Sequence, residues 1–267
     1  MKLAEKVVVI TGAGNGMGRE MTLESIRRGA KVYGVDISQK NLEETASLVS
    51  TKDSFKFEVL DITERTQTAT LPDRVIAAFG QVDALINNAG IIQPFVFVSE
   101  LDFEHIDRVM NVNFNGPVNL VKSFLPHLAK RPEAQIANVS SMGGYGPVPG
   151  QTVYGASKAA LKLFTEGLRS ELTPTNITVT AIYPGAIGTN IAANSGISME
   201  LPDGADAPAM KMTPANEAGR IMIDGIEAGK ARVFVGKDAS MMDKLVRFMP
   251  ERAPGIIYEQ MKSILPK

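Results

Sequence analysis

Cysteine is absent from the 267 residues, and histidine is nearly so, with only His105 and His127. The first absence excludes disulfide scaffolds, thiolate metal sites and a cysteine nucleophile. The second excludes a multi-histidine metal centre. An excess of one charge is also missing. Lys and Arg number 28 and Asp and Glu 29, a net charge of −1. That balance argues against nucleic acid or an acidic membrane surface as a partner. No apolar run reaches the roughly 18 residues of a membrane span or the roughly 7–15 of a signal-peptide core. Met1–Lys6 is mixed and polar, and the apolar run behind it is only Val7–Ile10. A soluble cytoplasmic protein is therefore expected.

What is present is an ordered globular composition, 44% hydrophobic and 21% charged. Strand and helix signals alternate. Val7–Ile10, Lys31–Asp36, Phe55–Val59, Val82–Ile86, Gln135–Ser140, Ile177–Tyr183 and Arg232–Val235 read as strands. Helical spacing predicts Gly16–Arg28, Asn41–Ser50, a helix beginning at Pro72 and running to Phe79, Val153–Leu172 and Pro214–Ala228. Phe103–Lys130 reads as helical in two pieces, broken at Asn115-Gly116-Pro117. Strands alternating with helices imply a single α/β domain over 1–267, a doubly wound parallel sheet of about seven strands with helices on both faces. No linker or internal repeat divides it.

Thr11-Gly12-Ala13-Gly14-Asn15-Gly16-Met17-Gly18 follows the first strand and opens the first helix. Residues without Cβ let a backbone approach a pyrophosphate, and a helix N-terminus offers free N–H groups and a favourable dipole. A glycine cluster alone could be a tight turn. Its setting between strand and helix, with Asp36 closing the second strand eighteen residues after Gly18, favours dinucleotide binding. A carboxylate there accepts ribose hydroxyls and repels a 2′-phosphate. Neither Asn15 nor Ile37 is basic, and the nearest cation is Lys40. NAD is expected, with NADP the second choice.

Tyr154 and Lys158 stand at i and i+4 and share one helix face. A tyrosine titrates near ~10 and is a poor base at neutral pH. A nearby ammonium favours the phenolate, and lowering the pKa by ~3 requires about 4 kcal/mol of differential stabilisation. Alone, such a pair is usually two surface neighbours. Ser140-Ser141 ends a strand where open α/β sheets bind ligands, and adjacent residues face opposite sides, so one hydroxyl at most faces the cleft. Asn113 precedes the break at Pro117, whose missing N–H leaves the Asn113 carbonyl available.

These motifs together resemble the short-chain dehydrogenase/reductase family, in its branch of about 250 residues. The resemblance runs from Lys6 to Val235. It is carried in order by Thr11-Gly12 with Gly16 and Gly18, Asp61, Asn87-Asn88-Ala89-Gly90, Asn113, Ser141, Tyr154 with Lys158, and Pro184-Gly185 with Thr189. The thirteen-residue spacing from Ser141 to Tyr154 selects Ser141 over Ser140. The resemblance implies Tyr154 as general acid/base, Lys158 lowering its pKa and holding the nicotinamide ribose, and Ser141 bonding the substrate oxygen. It implies that Asn113 holds a water through its main-chain carbonyl. Gly12, Asn15, Gly16, Met17 and Gly18 would form the cofactor turn, with Asp36 and Ile37 at the ribose. Asp61 and Ile62 would meet the adenine, and Asn88, Ala89 and Gly90 would line the adenosine side. Beyond Pro184 and Gly185, Ile187 and Thr189 would contact the nicotinamide carboxamide.

The implied activity is NAD-dependent oxidoreduction between a secondary alcohol and a ketone or aldehyde, without a metal. A non-catalytic dinucleotide sensor or scaffold is the alternative, and the retained Ser141, Tyr154 and Lys158 speak against it. The family's substrate lid corresponds to 191–212, with Ile191, Ile197, Met199, Leu201, Met210 and Met212. With Pro147, Val148 and Val153 near the cleft, these suggest a hydrophobic small-molecule alcohol or carbonyl substrate. Lys211 is the one candidate for an anionic substrate. The tail 238–267 is rich in Met, Ile, Leu and Phe, and is expected to cap a partner subunit, cover the active site or lie on a membrane, in that order. Phe103–Lys130 and Val153–Leu172 resemble the family's interface helices, implying a homodimer or homotetramer.

Overall fold

The computed structural model describes residues 1–197, 212–262 and 265. Its strands β1 (Val7–Thr11), β2 (Lys31–Asp36), β3 (Phe55–Val59), β4 (Ala84–Asn87), β5 (Ala134–Val139) and β6 (Ile177–Pro184) are joined by Arg232–Val235 in one parallel sheet. The spatial order is β3-β2-β1-β4-β5-β6, then Arg232–Val235 at the edge. The order reverses at β1, which pairs with β2 on one side and β4 on the other. Ligand crevices in such sheets lie outside the strand C-termini at that reversal.

The central strands β1 and β4 are apolar along almost their whole length because both of their faces are covered. Val8, Ile10 and Ile86 bury against Met21, Leu42, Met222 and Ile223. Their neighbours Val7, Val9 and Leu85 point the other way, against Leu71, Val75, Leu120 and Phe124. The helices supplying these residues are α1 (Gly16–Arg27), α2 (Gln39–Leu48) and Ala215–Glu227 on the first face. On the second lie α3 (Arg65–Phe79), α5 (Gly116–Leu128) and α6 (Thr152–Leu172), with α4 (Phe103–Met110) leading into α5. No helix among the described residues is long and apolar enough to cross a membrane.

Most predicted elements are found, with ends moved by one or two residues. Two differ in kind. Pro72 does not open its helix: α3 starts seven residues earlier and carries Pro72 inside. An interior proline costs ~3 kcal/mol. Leu71 and Val75 are both fully buried, and at about 1.5–3 kcal/mol each their burial offsets that cost. The expected break at Asn115-Gly116-Pro117 is also absent. Helix continues through Asn111–Asn115 as a wide π turn, with Gly116 N–H donating to the Asn111 carbonyl. This wider pattern skips the bond that Pro117 cannot make.

The stretch beginning at Ile191 is not wholly loop. Ile191–Asn194 forms a helical turn, and Ile187–Gly188 pairs in parallel with Thr213–Pro214. Met199, Leu201, Met210 and Lys211 lie outside the described residues. The apolar tail forms two helices, Lys237–Phe248 and Ala253–Met261, burying Ala239, Ala253, Ile257 and Leu265.

Candidate active site

A cavity of about 690 Å³ opens along the C-terminal ends of β1, β2 and β4. Its floor is the turn into α1. Gly12 adopts φ +67°, and a Cβ there would lie 2.9 Å from Asn88 Nδ2. A Cβ on Gly18 would fall 1.9 Å from the Gly12 carbonyl, so the turn closes only on glycine. Asn15 accepts from Gly16 N–H and caps α1, whose first turn holds no acidic residue. That leaves a helix N-terminus suited to an anion facing the cavity.

Asp36 stands at the far wall. One carboxylate oxygen accepts from Gly14 N–H at 3.0 Å and the other from Ser38 N–H at 3.0 Å. Each keeps a second lone pair for a ligand hydroxyl. Ile37, exposed, lines the wall beside it. Asp61 holds Thr63 through Oδ1 and joins Ile62 on the same wall. Across the cavity the Thr11 hydroxyl accepts from the Asn88 and Ala89 N–H groups, each at 3.0 Å. Asn88 Oδ1 is buried with no hydrogen-bond partner among the described residues. A glycine cradle, a helix N-terminus with no acidic residue in its first turn and the Asp36 carboxylate in the cavity wall fit a dinucleotide.

Met17, Gly90 and Thr189 also line this space. Gly18, Pro184, Gly185, Ile187, Tyr154 and Lys158 do not. Gly18 is buried under the turn. Gly185 N–H is bonded to the Val235 carbonyl at 2.9 Å, which anchors the strand end from which Ile187 and Thr189 lead off.

Beyond Gly90 sits a second group of residues. Lys158 is buried, and its Nζ donates to the Val139 carbonyl at 3.0 Å. Burial lowers its pKa from 10.5 to about 8. Tyr154, one helical turn earlier, has its ring centroid 6.0 Å from that nitrogen. Burial raises the Tyr154 phenol above its ordinary value, and its hydrogen bond with Ser141 opposes the rise. Desolvation is the leading influence on the phenol, and the Lys158 ammonium is turned to the Val139 carbonyl. Ser141 also accepts from Gly143 N–H at 3.0 Å. Ser140 faces away and donates to the Lys158 carbonyl at 2.8 Å.

Asn113 lies within the π turn, fully buried. Its amide clasps Ile91 through both N–H and carbonyl, each at 2.9 Å, and reaches Ser157 Oγ at 3.0 Å. Ser157 in turn donates to the Tyr154 carbonyl. Gln93 is a supporting residue that sequence reading passed over. It is fully buried, and its Oε1 accepts from Val153 and Tyr154 N–H at 2.8 and 3.0 Å. Those are orphan donors of the first turn of α6. Glu104 and Arg108, also missed, line the cavity from α4. Their i, i+4 spacing put them on one helix face, but nothing local showed which way that face turned.

A family model described as short chain dehydrogenase matches residues 6–199. The chain belongs to the short-chain dehydrogenase family. This short-chain dehydrogenase is 36% identical over 255 residues to a Mycobacterium tuberculosis chain named as the oxidoreductase SadH, covering 91% of both. It is 36% identical over 244 residues to the 3-oxoacyl-[acyl-carrier-protein] reductase FabG of Thermotoga maritima, covering 90% of this chain and 94% of that one. A short-chain dehydrogenase of Burkholderia cenocepacia, solved with NADP, superposes with TM-score 0.80 at 27% identity over 96% of this chain and 99% of that one. One of Burkholderia phymatum, solved with NAD, shares the fold with TM-score 0.83 at 23% identity, over 94% of this chain and 95% of that one. The protein is thus an oxidoreductase of a family that binds nicotinamide dinucleotides.

Proposed function

We propose that this short-chain dehydrogenase interconverts a secondary alcohol and a ketone or aldehyde, using NAD in preference to NADP. One observation carries the reading: Gly90 separates the dinucleotide-sized cavity from Lys158 by less than the width of a methyl group. A Cβ at Gly90 would lie 3.0 Å from Lys158 Nζ and 3.1 Å from Asn113 Oδ1. The binding cleft and the proton-handling side chains are therefore one site.

A nicotinamide dinucleotide, when bound, supplies the hydride acceptor or donor. The protein handles the proton. Tyr154 exchanges it with the substrate oxygen, which Ser141 orients by a hydrogen bond. Below about pH 8 Lys158 holds positive charge beside the phenol, and Asn113 fixes the 91 backbone and α6 around it. Carbonyl reduction uses the protonated phenol and alcohol oxidation the phenolate. The reading favours NAD because Asp36 would repel a 2′-phosphate and exposed Ile37 offers it no cation.

The test is direct. The purified protein is assayed with aliphatic, cyclic and steroid secondary alcohols and a 3-oxoacyl thioester, with NAD and NADP cofactors in parallel. NAD-linked turnover on a hydroxyl or carbonyl substrate is expected. Dinucleotide binding without turnover across the panel would favour a sensor or scaffold instead.

A further inference from the structure

The helix Lys237–Phe248 lies beyond the residues matched by the family model, yet its first turn contacts both the turn that leads to Thr189 and the loop that follows Ser141. Asp238 Oδ2 accepts from Ala186 N–H at 2.6 Å. Its carboxylate occupies the volume beside Gly185: a Cβ there would lie 2.2 Å from both carboxylate oxygens. The φ of Gly185 is not positive, so conformation does not demand a glycine. The carboxylate does. On the other side, the Ala239 carbonyl accepts from the Tyr145 hydroxyl at 2.6 Å. Met242 fills the space beside Gly146, where a Cβ would meet its Cγ at 2.7 Å. Tyr145 and Gly146 belong to the loop that follows Ser141. Gly185-Ala186 leads to Ile187 and Thr189.

We infer that Asp238 is a positioning residue for the cofactor side of the site, setting the Gly185-Ala186 turn so that Thr189 meets the cavity. The inference rests on the oxidoreductase reading for its kinetic consequence, but not for its binding consequence. A carboxylate seated against a glycine and bonded to the next N–H leaves the turn one position. Without it, the turn is still held by the Gly185–Val235 backbone bond, by Thr213 N–H donating to the Ala186 carbonyl at 2.9 Å and by the pairing of Ile187–Gly188 with Thr213–Pro214, so Thr189, which packs beside Gly16, shifts by a fraction of an ångström and does not swing away. Misplacing a group that orients the reacting ring by a fraction of an ångström slows hydride transfer more than it weakens overall binding. The same first turn also holds Tyr145, so the C-terminal helix couples the substrate-side loop to the cofactor-side turn.

The experiment compares wild type with Asp238→Ala, Asp238→Asn, Gly185→Ala and the double variant Asp238→Ala/Gly185→Ala. Each is read by NADH affinity from fluorescence titration, by thermal unfolding, and by the primary deuterium isotope effect on kcat with a deuterated alcohol. Gly185→Ala is expected to lose roughly tenfold or more in NADH affinity, since the methyl group and the carboxylate cannot both fit. In the double variant the methyl group takes the vacated space, so affinity returns to within about threefold of Asp238→Ala. Asp238→Asn keeps an acceptor oxygen for Ala186 N–H and stays near wild type. Asp238→Ala raises the isotope effect and lowers kcat by roughly tenfold while remaining folded. Independent, multiplying losses in the double variant would overturn the inference, as would wild-type affinity and isotope effect in Asp238→Ala. If wild type turns over no substrate, the oxidoreductase reading fails while the affinity cycle still decides the role of Asp238.

Discussion

Gly90 and Lys158 meet at a distance that leaves no room for a methyl group, since a Cβ on Gly90 would stand 3.0 Å from Nζ. Nζ is the far end of a flexible side chain, so it is the lysine that yields. Gly90→Ala should stay folded with a Tm lowered by the loss of the buried Lys158–Val139 hydrogen bond. It should turn Lys158 from the Val139 carbonyl and lower kcat by roughly ten- to a hundredfold. A variant with full kcat would show that the Lys158 position is not critical.

Tyr154→Phe removes the proposed proton carrier without removing the ring. NADH affinity should stay within about twofold of wild type, while kcat falls at least about a hundredfold in both directions. Because burial raises the Tyr154 pKa, alcohol oxidation in wild type should climb with pH through the alkaline range and ketone reduction should decline there. A flat oxidation profile would contradict the phenol's role.

Lys158 links the site to stability. Between pH 8 and 10.5 an unfolded lysine keeps its proton, whereas the folded one, at about 8, has released it. The unfolded state then binds more protons, so the Lys158 contribution to stability rises with pH across this window. The full effect is on the order of 3 kcal/mol. Tyr154, raised above 10.0, works in the opposite direction only above pH 10. Thermal unfolding below pH 10 should therefore show wild type gaining on Lys158→Met as pH rises from neutrality. Parallel curves for the two proteins would remove burial as the cause of the lysine's shift.

Asp36→Ala should weaken NAD and relax discrimination against NADP, each by roughly tenfold, the scale of a lost charge-assisted hydrogen bond. Adding Ile37→Arg should carry the preference further toward NADP. Unaltered rejection of NADP in Asp36→Ala would mean that another wall of the cavity makes the choice. Steady-state kinetics with both cofactors reads the outcome.

Gln93→Met keeps the bulk and removes the acceptor for Val153 and Tyr154 N–H. Leaving those donors unpaired should cost about 2 kcal/mol, seen as a lower Tm. The loss should also appear in kcat more than in KM, because Tyr154 rides on that turn. A fall in Tm with unchanged kcat would confine Gln93 to the scaffold.

Much of this molecule is local in origin and was legible for that reason. The succession of strands and helices along the chain follows from alternating short apolar runs and amphipathic helices, each readable within about ten residues. The glycine turn, Asp36 and the Tyr154–Lys158 pair are likewise short-range patterns, and Gly12, Gly16 and Asp36 among them line the cavity. Proline was misread twice, at Pro72 and Pro117, because its local preference was weighed without the burial and the wide helical turn that override it.

Contacts between distant segments had no such trace. Gln93 lies sixty-one residues from Tyr154, and its buried amide is visible only once α6 packs over the 91–93 segment. Asp238 lies fifty-two residues beyond Ala186, in a tail whose apolar residues carried its sequence reading. The sequence by itself determined the doubly wound sheet and the glycine turn between strand and helix, because periodicity and spacing encode them directly, while the roles proposed for Tyr154 and Lys158 came from a family resemblance. The tertiary structure alone decided the ionisation of Lys158 and Tyr154, which depends on burial. It alone decided which remote carboxylate and amide hold the site in register, because hydrogen bonds between far segments leave no period in the chain.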